Sequence, residues 1–248
     1  MNYQPDKVYL RMSAKRQKRE SSSHKVKRFS LPDDEKRHPW LRMLLDAYYV
    51  IDKGVLKSVD AERKKGRRLA CEKGCSNCCR THQDIPVYPL ELVGISWYAA
   101  EKLTGLYRES LKKQLYAFRK LQPCPFLLDG ACAIHPVRPM ACRQFNVFGK
   151  PCAAGEDAYY TRREDVMDPV KKYVDHAFFV MLRYHGVEID SERVKIIESG
   201  GMHKTARELH ACNWRLLAER MESADGQRTT EKQGSGNRNN EQRTTNDE

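Results

Sequence analysis

No run of about 18 apolar residues occurs anywhere in these 248 residues, so the sequence predicts no membrane-spanning helix and no membrane partner. The basic start is not followed by an apolar stretch and a small-residue cleavage site, so the expected location is the cytoplasm. Gly-x-Ser-x-Gly and His-Glu-x2-His are both missing, which removes the common serine-hydrolase and zinc-protease signatures. A glycine-rich strand-to-helix turn that could form a methyl-donor pocket is missing too, and there is no internal repeat. Whether the chain catalyses a reaction is left open by its residues.

What the chain has in excess is cysteine, and in one place. Of nine cysteines, eight lie between Cys71 and Cys152. The first block reads Cys71-x3-Cys75-x2-Cys78-Cys79. The second reads Cys124-Pro125-Phe126-Leu127, then Gly130-x-Cys132, then Arg138-Pro139 leading into Cys142-Arg143, with Cys152 beyond. Thiolates spaced two to four residues apart on a turn can point at one ion without straining the backbone, which is how zinc knuckles and iron–sulfur sites are built. In a reducing cytosol such clusters are metal ligands or redox groups rather than disulfides, and an odd total argues against a closed disulfide framework. The candidate metal ligands are therefore Cys71, Cys75, Cys78, Cys79, Cys124, Cys132, Cys142 and Cys152. Two four-ligand sites would use all eight, whereas a single four-iron cluster would leave several free. Cys78 and Cys79 are adjacent, so their side chains are expected to diverge, and one can serve a second site or sit spare beside the first. Cys212, far from the cluster among helix-forming residues, reads as an inert packed thiol.

The formal net charge is +12. Residues 1–37 carry eleven basic and five acidic residues, and residues 71–152 carry eleven and six. Thiolates would offset the second excess once metal is bound. The first excess sits on a polar arm that cannot bury enough apolar surface to order itself. A nucleic-acid contact through that arm is conceivable but not favoured, because its charges are not interleaved with aromatics that could stack on bases. Residues 223–248, rich in Gln, Asn, Thr and Gly, read as a second disordered tail.

Between the tails, residues 38–222 read as one mainly α domain, helices wrapped around an irregular cysteine-rich metal core at 71–152 with a short hairpin. Trp40, Leu41, Leu44, Leu45, Tyr48, Val55, Leu56 and Val59 predict an amphipathic helix over about 40–69. Pro89 and Glu91 suit the start of a helix running to Leu103, with Gly105 as its stop. A further helix is predicted over 106–121. The prolines between Pro123 and Pro139, with the Asp129-Gly130 pair, predict a compact loop or hairpin. Helices are predicted again over 169–184 and over 192–221, the latter interrupted at Gly200-Gly201.

The two cysteine blocks, Glu91 between them, Gly130-x-Cys132-x-Ile134-His135 and Arg138-Pro139-x2-Cys142-Arg143 together resemble the cysteine-cluster family called YkgJ-like, a zinc- or iron-chelating domain. The resemblance covers about 80 residues and implies a metal- or cluster-bearing domain without implying a reaction. A related branch, the flagellin lysine N-methylases, is similar in its cysteine pattern, but the outer thirds of this chain do not match it. Cys71, Cys75 and Cys78 also spell the radical S-adenosylmethionine triplet. Here, however, the triplet follows a charged helix rather than the first strand of a barrel, and the match is read as coincidence.

The expected cofactor is an iron–sulfur cluster, 4Fe-4S favoured, or zinc. The expected function is metal binding with a redox role and an electron partner. The alternatives are a structural zinc module that presents helices to protein or RNA, and a lysine N-methylase-like enzyme. His135 is expected to hydrogen-bond near the metal rather than ligate it. Arg138 and Arg143 are expected either to face the sulfurs or to pair with Glu91 or Asp129.

Overall fold

The computed structural model describes residues 26–225. The arm before residue 26 and the tail after residue 225 lie outside the described residues. Helix α1 (Pro32–Arg37) falls in the segment expected to belong to the arm. Its Asp34 is buried, pairing with Arg37 on the same helix and with Lys102. Just upstream, Arg28 bridges Glu35 at 2.9 Å and Asp46 at 2.6 Å. Among the described residues, the ordered region therefore begins before residue 38, because short-range ion pairs dock this segment where hydrophobic burial could not.

Helix α2 (Pro39–Lys64) is the spine. Proline at its first position has a fixed φ that suits a helix start, and Leu41, Leu44, Leu45, Tyr48 and Ile51 line one buried stripe. The helix stops five residues before the expected Leu69. Gly66 takes φ +82°, its N–H bonds to Arg63 O at 3.0 Å, and the Arg67 N–H bonds to Glu62 O at 3.0 Å. That pair of bonds is a Schellman stop, which needs a residue able to adopt positive φ.

After helix α3 (Asn77–Thr81) comes helix α4 (Pro89–Glu101), which crosses α2, and then helix α5 (Gly105–Ala117). Gly105, expected to stop α4, instead opens α5 with φ +62°. Helix α5 ends four residues short of Leu121, which is 78% exposed at φ +71°. Helices α6 (Met140–Gln144) and α7 (Ala158–Thr161) are single turns, and helix α8 (Lys171–Met181) runs along α2. Helix α9 (Asp190–Glu198) and a last helix over 214–225 complete the shell.

The continuous helix expected beyond Gly201 is absent. Residues 201–213 form two 3-10 turns around a short strand, β4 (Arg207–Glu208). That strand pairs antiparallel with β1 (Pro86–Val87), Val87 opposite Arg207. The pairing partner lies some 120 residues away in the chain, and no local pattern announces it. The expected hairpin is present: β2 (Leu127–Leu128) pairs with β3 (Ala131–Cys132). Asp129 and Gly130 supply the two positive φ values, +49° and +77°, that a two-residue turn requires. Among the described residues no helix is long and apolar enough to cross a membrane.

Candidate metal centre

The first cysteine block is pinned from outside. Leu69 bridges Phe148, the Ala70 N–H bonds to Val147 O at 2.8 Å, and the Gly149 N–H bonds to Arg68 O at 2.8 Å. The Val147 N–H in turn donates to the Cys71 sulfur at 3.3 Å. Gly74, at φ +89°, turns the chain so that Cys75 is exposed between Cys71 and α3. Asn77 Nδ2 donates to Glu156 O at 2.7 Å, tying α3 to the loop after Cys152. The Cys152 sulfur accepts from Arg162 Nη2 at 3.5 Å. Cys71, Cys152 and Phe145 pack together on Val147, Ala158 and Val166, a small apolar cluster separate from the main core.

The other thiols pack against the main core. Cys124 is itself part of it, and Cys79, Cys132 and Cys142 lie on its edge. The Cys124 N–H donates to Cys79 O at 2.7 Å, which joins the two sequence blocks directly. Cys132 sits on β3 opposite Leu127, and Cys142 rides on α6. Cys78 and Cys79 follow one another on α3, where successive side chains point about 100° apart.

Electrostatics tie the thiols into two neighbourhoods that meet at Cys78. Burial raises the Cys71 thiol, and the nearby charges of Cys75, Cys78 and Cys152 raise it further, against the Val147 N–H. Its hydrogen bond with Cys79 is the main cause raising Cys78, with burial second. Cys79 is pushed up to about 12, first by its hydrogen bond with Cys124. Burial holds Cys142 well above the thiol range, and Cys78, Cys79 and Cys132 add to the effect. Thiols this crowded resist becoming thiolates on their own, and a cation among them removes that penalty.

Arg138 supplies an independent indication of fit. Its positive charge favours the thiolates of Cys78, Cys132 and Cys142, while its Nε is buried with no hydrogen-bond partner. A donor left over beside buried sulfurs suits an anionic metal–thiolate group. Among the described residues no three His, Cys, Asp or Glu side chains stand in a metal-holding arrangement as they are. The sulfurs are neighbours without forming a closed coordination sphere. By donor chemistry the set fits a thiophilic metal.

The expected supporting residues divide. Arg143 does not pair with Glu91 or Asp129. It grips Asp52 through two hydrogen bonds of 2.9 and 3.2 Å and lies over the Tyr48 ring at 4.0 Å. Glu91 accepts two backbone N–H bonds instead. His135 is exposed, beside Arg138, Arg143 and Asp52. Cys212 stays apart from the other thiols, its sulfur hydrogen-bonded to Glu208 O at 3.4 Å.

Sequence reasoning missed Arg162 and His82. Arg162 is 7% exposed and holds Glu156 and Asp165 as well as Cys152. His82 caps the end of α3, sits 3.1 Å from Asp157 and meets the Phe145 ring at 4.2 Å. Neither residue carries a spacing signal, because both reach the site through the loop after Cys152.

Residues 70–168 match the family model CxxCxxCC, described as "Putative zinc- or iron-chelating domain". No curated protein and no solved structure matches the chain. The matched span opens one residue before Cys71 and takes in all eight clustered cysteines together with Arg138 and Arg162. Residues 70–168 are thus similar to the CxxCxxCC family, whose description supports zinc or iron chelation by this part of the chain.

Proposed function

We propose that the domain holds metal on two four-thiol sets, one of Cys71, Cys75, Cys78 and Cys152 and the other of Cys79, Cys124, Cys132 and Cys142. Each set would carry a 4Fe-4S cluster, and the protein would exchange electrons with a protein partner. The observation that carries this reading is that Cys71 and Cys152 pack in one apolar cluster while Cys79, Cys124, Cys132 and Cys142 pack in another, with Arg162 at the first and Arg138 at the second; Cys75 and Cys78 are linked to Cys71 by charge. Iron–sulfur clusters bound there would supply one-electron redox chemistry. The chain's own part is to keep water off the sulfurs and to aim N–H donors at them. Val147 N–H and Arg162 do this at the first set. N–H donors and positive charge beside cluster sulfurs favour the reduced state and raise the potential.

A structural zinc reading is favoured by one feature. Every helix and strand between residues 118 and 168 is five residues long or shorter. Elements that short do not hold themselves, and structural zinc can contribute on the order of 10 kcal/mol to folding.

Purification without oxygen, followed by visible absorption and by iron, sulfide and zinc analysis, separates the two. The expected result is a brown protein with matched iron and sulfide that bleaches with dithionite. A colourless protein with stoichiometric zinc and no iron would replace the redox reading with the structural one.

A further inference from the structure

We infer that Cys79 and Cys124 form an oxidation site, a thiol pair that closes to a disulfide under peroxide and releases metal from the second thiol set. The inference rests on the proposed metal-binding role of that set.

The backbone geometry singles this pair out. The 2.7 Å bond from the Cys124 N–H to Cys79 O holds the two residues side by side, and their thiols interact directly. A disulfide spans Cα separations of about 4.4–6.8 Å. The adjacent pair Cys78 and Cys79 is worse placed, since a bridge between neighbouring residues closes a small ring that the helical backbone of α3 does not accommodate.

Access singles it out as well. A surface cavity of about 410 Å³ opens onto Cys124, with Arg80, Gln114, Phe118, Gln122 and Asp129 around it. Cys124 is otherwise only 7% exposed, so this cavity is the route by which a small oxidant reaches a core thiol. Arg80 on the rim is exposed. Cys79 lies behind Cys124, placed to act as the resolving thiol.

The chemistry balances with a hydroperoxide as oxidant. The Cys124 sulfur attacks the peroxide, losing its proton as an S–O bond forms, the O–O bond breaks and water leaves. The Cys79 thiol then attacks the sulfenic sulfur, losing its proton as the S–S bond forms, the S–O bond breaks and a second water leaves. Two thiols are oxidised and one peroxide is reduced. The second set is left with Cys132 and Cys142, too few donors to hold a metal tightly.

The test treats the full-length protein, with its metal content measured beforehand, with one equivalent of hydrogen peroxide. Remaining thiols are then alkylated and crosslinked peptides are sequenced by tandem mass spectrometry. The expected product is a Cys79–Cys124 crosslink, two thiols lost, and metal released from one set of the two. A first crosslink involving Cys75 or Cys152, or oxidation of Cys124 without a crosslink, overturns the inference, and the crosslink map of the unaltered chain decides. A metal-free chain that still forms the Cys79–Cys124 crosslink would overturn the metal-binding role and keep the oxidation site. A metal-loaded chain that does not form it would do the reverse.

Discussion

The Glu91 carboxylate accepts the Met140 backbone N–H at 2.7 Å, so a residue on α4 caps the helix that carries Cys142. Its other oxygen accepts the Tyr88 N–H at 3.0 Å at the start of its own helix. One fully buried side chain therefore fixes two helix starts, each of which would otherwise leave a buried donor unpaired.

Glu91 should make stability depend on pH. Burial is the main cause raising its carboxyl from 4.5 to about 7, against the two N–H bonds and Arg143. Because the folded value lies above the unfolded one, this contribution is fully present below about pH 4.5 and is lost as pH rises to about 7. The loss is on the order of 3 kcal/mol. In Glu91→Gln nothing titrates at this position. The wild-type stability should therefore fall relative to the variant across that window, in denaturant titrations at matched metal content. Parallel curves would mean that Glu91 is already ionised at the acid end.

The local features of this molecule were legible in the sequence, and the long-range ones were not. Pro89 and the Asp129-Gly130 turn announce their elements because each restricts its own backbone. The eight thiols announce a metal centre because ligand chemistry needs short spacings. Arg162 reaches Cys152 only after folding, and β4 finds β1 across the whole domain. The Asp52 partner of Arg143 lies 91 residues upstream on α2, where it looks like any solvated helix carboxylate. Gly66 could have been recognised as the stop of α2.

Arg143→Lys should destabilise the domain although the charge is kept. The guanidinium holds Asp52 at two points, covers Tyr48, and donates to Pro136 O at 2.6 Å and Arg138 O at 3.1 Å. A lysine ammonium cannot reproduce a planar fork and a stacked face together. The expected cost is about 2–3 kcal/mol, and a cycle with Asp52→Asn should assign about 1 kcal/mol of it to the pair. An unfolding midpoint unchanged by Arg143→Lys would show that the charge alone suffices.

At Gly94, α4 packs against α2 without a side chain between them. A Cβ added there would lie 2.2 Å from Leu44 Cδ2, and Leu44 is fully buried. Alanine favours a helix over glycine by about 1 kcal/mol, yet overpacking a filled core costs about 1–3 kcal/mol. Gly94→Ala should therefore lower stability in thermal or denaturant melts. Adding Leu44→Ala should cost less in the Gly94→Ala background than in the wild type. Simple additivity of the two changes would argue against the contact.

Arg162 offers the sharpest separation between holding the fold and holding the metal. Its guanidinium reaches Glu156 at 2.7 Å, Asp165 at 3.0 Å and the Cys152 sulfur at 3.5 Å. The two carboxylates fix the guanidinium, and the remaining N–H is aimed at the sulfur. Donors that orient a ligand in this way typically change metal affinity by about 10–100-fold when removed. Arg162→Lys keeps a positive charge but cannot serve three acceptors at once. Competition with a chromogenic chelator should show the first thiol set losing metal more readily by that factor, while the second set keeps its affinity. Equal weakening of both sets would place Arg162 in the fold alone, as a clamp on the loop after Cys152. Selective weakening would tie it to the thiolate that it touches.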